Sequence, residues 1–80
     1  MLGNTMDLYV VLNEVREFAK ECVWKSKEEC VNASDSVIEA YLKALMPEKD
    51  FGVFLKYRQL MLEEFRRSVK DELDFLNDKS

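Results

Sequence analysis

Only Gly3, Gly52 and Pro47 interrupt this chain of 80 residues with a strong breaker of regular structure. So few breakers leave room for few turns, and a few long segments follow. Threonine and isoleucine occur once each, whereas Leu, Glu, Lys, Ala and Met are plentiful. Propensity therefore favours helix over strand throughout. The 48% hydrophobic content and net charge of −4 exclude a typical disordered tail, which has fewer apolar residues and a larger charge. The length suits one helical domain over residues 1–80, whose core stabilises it by only about 3–5 kcal/mol.

Hydrophobic periodicity places the helices. Leu8, Val11, Val15, Phe18 and Cys22 recur at three- and four-residue steps, widened by Leu12, Ala19 and Val23, and predict a helix over 6–24. Asn4 or Thr5 is its expected cap, with Asp7 near the positive end of the helix dipole. Ser26-Lys-Glu-Glu29 has the capping-box spacing, and the apolar stripe slips by about a quarter-turn there, so a turn is expected at Ser26. Cys30, Ala33, Val37, Ile38, Tyr41, Ala44 and Leu45 then keep one phase and predict a single helix over 27–46, ended by Pro47. The competing reading breaks it near Asn32 to Asp35, where Ser36-Val-Ile-Glu39 is another capping-box match. A third helix over 50–77, with Asp50 as a candidate cap, presents Phe51, Phe54, Leu55, Met61, Leu62, Phe65, Val69, Leu73 and Leu76 on one broad face. Residues 77–80 are expected to fray. The expected fold is an all-α, small three-helix bundle with a long C-terminal helix.

The residue types narrow the chemistry. Without histidine the usual general base at neutral pH, the Ser-His and Cys-His pairs and histidine metal sites are absent, and no glycine-rich phosphate loop exists. The expectation is no enzyme, no cofactor, no metal and no small-molecule substrate. Cys22 and Cys30, four residues either side of Ser26, would face each other across a helical hairpin; the choice lies between a disulfide and two buried free thiols. We expect free thiols, because the N-terminal sequence lacks the basic and apolar regions of a signal peptide and so reads as cytoplasmic. The longest apolar run, Leu8 to Leu12, is far short of a membrane span. Ser34-Asp35-Ser36-Val37 resembles the Asp-Ser-Leu attachment site of acyl carrier proteins over about four residues. That resemblance implies Ser36 as the attachment residue. The glycine that usually precedes the motif is missing, and capping by Asp35 or Ser36 explains the same residues.

Charge and apolar surplus point to a partner. Residues 1–40 carry four basic and eight acidic side chains, and residues 41–80 carry eight of each. Binding to nucleic acid is disfavoured by the net charge despite a basic belt from Lys56 to Lys70. Val53, Tyr57 and Leu60, bordered by Glu64, form a second stripe on the third helix. Val10 and Trp24, with Met6, lie opposite the main stripe of the first. Such anchors suit helix-in-groove recognition; the competing reading makes both stripes core. A helix over 50–77 would be about 42 Å long, more than the roughly 30 Å diameter of a compact chain of this size, so either it breaks or its end packs against another chain, a symmetric copy or a different target. Arg58, inside the main apolar face, is expected to find a rim carboxylate, while Arg66, Arg67 and Lys70 are expected on a solvated face, with Glu63–Arg67 and Lys70–Asp74 as local pairs. The expected function is a non-catalytic protein–protein interaction module, such as a small adaptor, regulator or inhibitor of viral or mobile-element kind. The alternative is a self-assembling homodimer.

Overall fold

The computed structural model describes residues 3–79, with side chains from Leu8 to Asp78. Four α-helices follow one another: α1 (Gly3–Asn32), α2 (Asp35–Leu45), α3 (Phe51–Lys56) and α4 (Arg58–Lys79), with a single 3-10 turn at Glu48–Asp50 before α3. Among the described residues there is no strand. The protein is an all-α helical bundle.

The turn expected at Ser26 is present inside α1. Ser26 alone leaves helical geometry (φ −152°, ψ 67°), and the chain doubles back there. Cys22 and Cys30 lie 5.9 Å apart at Cα, whereas eight residues of straight helix would separate them by about 12 Å. The two cysteines are joined as a disulfide, which corrects the expectation of free thiols. Compartment statistics favoured free thiols, but the hairpin brings the two chains within bonding reach.

The helix expected over 27–46 is broken, and the competing reading holds. The chain leaves helix at Ala33 and Ser34, and Ser34, not Asp35 or Ser36, caps α2 by accepting the Val37 N–H at 3.4 Å. Pro47 follows the last turn, where Met46 N–H still donates to Leu42. The third helix is also divided, at Tyr57 (φ −116°, ψ 31°). This break rotates α3 against α4, so Leu55, expected on the same face as Leu62, stands 63% exposed while Phe54 is fully buried. Asp50 is buried but makes no capping bond to α3.

The backbone is helical from Gly3, ahead of the expected Asn4 or Thr5 cap, and remains helical to Lys79, past the point where fraying was expected. The side chains of residues 3–7, including the places expected for Met6 and Asp7, lie outside the described residues.

Long-range ion pairs and one hydrogen bond fix the directions of the rods. Arg16 meets Glu64 and Trp24 meets Glu72, each across 48 residues, so α1 and α4 run parallel. Arg58 pairs with Glu39 and Arg66 with Asp35, so α2 runs against α4. The bundle goes up, down and up. The core between the rods holds Val11, Val15 and Ala19 of α1, Ile38 and Leu42 of α2, Phe54 of α3, and Met61 and Phe65 of α4. The molecule measures 45 × 24 × 18 Å, and α1 lies along most of α4. The length expected over 50–77 is resolved by the break at Tyr57, one of the two outcomes that length allowed.

Candidate functional site

The residues expected to form a partner-binding stripe divide three ways. Glu64 is buried, at 4% exposure, and is no rim charge. It accepts from Arg16 Nε at 2.5 Å and also from Arg67. Burial pushes its carboxyl up, but the hydrogen bonds and charges of Arg16 and Arg67 outweigh this and hold it below its ordinary value near 4.5. Val53 and Tyr57 are half-buried against the core. Neither stands free of the core. Leu60, at 40% exposure, lies at its edge. Val10 (53%) and Trp24 (66%) stand in solvent on α1, but the Trp24 indole N–H donates to Glu72 at 2.8 Å. The structure does not gather these six into one surface.

The basic side chains are occupied too. Arg58 forks onto both oxygens of Glu39, at 2.6 and 2.8 Å, the rim carboxylate it was expected to find. The hydrogen bond from Arg58 lowers the Glu39 pKa and raises that of Arg58. Arg66, expected in solvent, donates to Asp35 at 2.6 Å and to the Ala33 carbonyl at 3.2 Å, closing the junction before α2. Arg67 turns to Glu64 instead of Glu63, which accepts from Gln59 at 3.2 Å. Lys70–Asp74 is not among the ion pairs of the described residues.

A different surface has the form of a binding site. An open apolar cavity of about 210 Å³ lies between α1 and α2. Phe18 and Cys22 form one wall, Tyr41 and Leu45 the other, and Phe65 of α4 also lines it; Glu21, Lys25, Ser26 and Glu29 complete its lining. Leu45 is the informative residue. It continues the buried stripe of Ile38 and Leu42 at i, i+4 and i+7, yet it is 55% exposed, because the space across from it is this groove. Periodicity assigned Leu45, Tyr41 and Phe18 to the core. A wheel shows which way a side chain points, not whether anything fills the space in front of it.

Around the groove, carboxylates are in excess. Among the described residues, none of Glu14, Glu21, Lys25 and Glu29 enters an ion pair. Glu14, one turn before Phe18 on the same side of α1, has a shielded Oε2 with no hydrogen-bond partner. No group of three or more Cys, Asp or Glu side chains among the described residues is placed to hold a metal, and no helix there is long and apolar enough to cross a membrane. Ser36 is exposed in the first turn of α2. No protein family, curated protein or solved structure matches the chain.

Proposed function

We propose that the protein is a non-catalytic protein–protein interaction module whose docking site is the groove between α1 and α2. Its partner is a protein segment that offers one bulky apolar side chain next to a lysine or arginine. The observation that carries this reading is Leu45, a residue on the buried stripe of its helix that faces unfilled space. A buried anchor that fills such a gap is the usual energetic centre of an interface. The size supports a peptide anchor over a metabolite: about 210 Å³ is below the roughly 300–1,000 Å³ of typical small-molecule pockets. The unpaired Glu21 and Glu29 against Lys25 alone, with Glu14 one turn away, complement a basic residue beside the anchor and disfavour an acidic one.

Selection from a displayed peptide library on the folded, disulfide-bonded protein tests this. Enrichment of peptides with a large apolar residue adjacent to Lys or Arg is expected, with binding weakened about tenfold or more by Leu45→Glu. No enrichment, an acidic consensus, or binding indifferent to Leu45→Glu would contradict it. A dimer of the protein itself that Leu45→Glu dissolves would assign the groove to a second copy instead.

A further inference from the structure

We infer that the Cys22–Cys30 disulfide is a redox latch on this groove, opened when a dithiol reductant attacks Cys22 through the groove and expels Cys30. The inference rests on the docking reading for what is regulated, but not for the chemistry of the bond.

The two sulfurs are unequally placed. Cys22 lines the open groove and is half-buried, so an incoming thiolate reaches it from solvent. Cys30 is 2% exposed and lies behind the bond, where a second cavity, between 27–32 and α4, is also lined by Arg66 and Lys70. Arg66 is already paired with Asp35, which leaves Lys70 as the cation of this cavity; a cation beside a cysteine favours its thiolate, and a better-stabilised thiolate leaves faster. On the groove side the charges are mixed, with Glu21 and Lys25 near Cys22 and Glu29 next to Cys30 in the chain, so access decides the direction: Cys22 is the sulfur attacked and Cys30 the leaving group.

The exchange balances as follows. One thiolate of the reductant forms a bond to the Cys22 sulfur while the bond from Cys22 to Cys30 breaks, and Cys30 leaves with the electron pair as a thiolate that then takes up a proton. The second thiol of the reductant, deprotonated, displaces Cys22 from the mixed disulfide. Cys22 becomes a thiol, and the reductant departs as a cyclic disulfide after giving up two electrons.

The consequence follows from how the groove wall is built. Cys22 belongs to the arm before Ser26 and Glu29 to the arm after it. The backbone at Ser26 and the sulfur bridge both join these arms. Once the bridge opens, the arm 27–32 is released from Cys22 and the wall loses its fixed shape. The rods are still held by Arg58–Glu39, Arg16–Glu64 and the core around Phe54 and Phe65, so the bundle persists while the groove does not.

Three measurements on the folded protein at low temperature test the latch. Brief exposure to glutathione, followed by alkylation and peptide mass spectrometry, should place the mixed disulfide on Cys22 about tenfold more often than on Cys30. After full reduction with dithiothreitol, amides of 27–33 should exchange at least about tenfold faster, with those of α4 unchanged. The affinity for Nile red, a neutral apolar dye, should fall by a similar factor. The double variant Cys22→Ser, Cys30→Ser should reproduce the second and third results without any thiol reagent. An adduct mainly on Cys30, unchanged exchange, exchange that rises equally along the whole chain, or dye affinity indifferent to reduction each overturns the latch. The docking reading fails separately: Nile red bound by the oxidised protein is then insensitive to Leu45→Glu, while the adduct and the exchange still judge the latch.

Discussion

Glu64 is the residue on which the seam between the parallel helices turns. Its buried carboxylate accepts hydrogen bonds from two arginines. Removing it by Glu64→Ala leaves two guanidiniums that can swing into water, so the cost is about 1–2 kcal/mol, below that of breaking a fully buried pair; urea unfolding measures it. The pH dependence has a definite sign. A carboxyl whose pKa is lowered on folding stabilises the native state above its ordinary value near 4.5, and that contribution is lost as pH falls through the lower folded value. Stability should therefore decline below about pH 4.5, with Glu39 adding a smaller share of the same sign, and Glu64→Gln should flatten this acid limb. Little of this could be read from local pattern, because Arg16 lies 48 residues away. The partner of Arg58 was easier to anticipate, since a charge amid apolar residues must reach a carboxylate.

At the scale of the helices, breaks separate what periodicity shows from what it hides. The turn at Ser26 was legible because two signals coincide there, a phase slip in the apolar stripe and a capping-box serine. The breaks at Ala33–Ser34 and Tyr57 were not expected as the leading reading, because the apolar phase runs through both and neither contains glycine or proline. Both substitutions proposed at this scale act on helix ends. Ser34→Ala removes the single side-chain cap of α2 and should cost about 0.5–1 kcal/mol, the low end for caps because the bond is long. Gly52→Ala should do the opposite. A Cβ there meets nothing within 4 Å, and the glycine has no positive φ, so the substitution stiffens the unfolded chain at no steric cost. A gain of about 0.5–1 kcal/mol, several degrees in Tm, is expected by calorimetry; a lower Tm would show that α3 is not formed as described.

For the whole molecule, fold class and rod count were legible from composition and periodicity, but assembly was not. The apolar stripe of the last helix looked surplus until the first helix was laid parallel to it, an arrangement that no pattern within either helix reveals. With Val53 and Tyr57 packed against the core of one chain, the apolar surface left for a homodimer through that stripe is reduced to its edge at Leu60. Sedimentation equilibrium should give the mass of a single 9.4 kDa chain, whereas a dimer dissolved by Leu60→Glu would restore the self-assembling alternative. The groove between α1 and α2 is open on the surface, and the most direct test of its role is a map of where a selected peptide binds. Titration of such a peptide into isotope-labelled, disulfide-bonded protein should shift the amide resonances of Phe18, Cys22, Tyr41 and Leu45, and leave those of Val10, Val53 and Leu60 in place. Shifts centred on Val10, Val53 and Leu60, with the groove unmoved, would contradict the account.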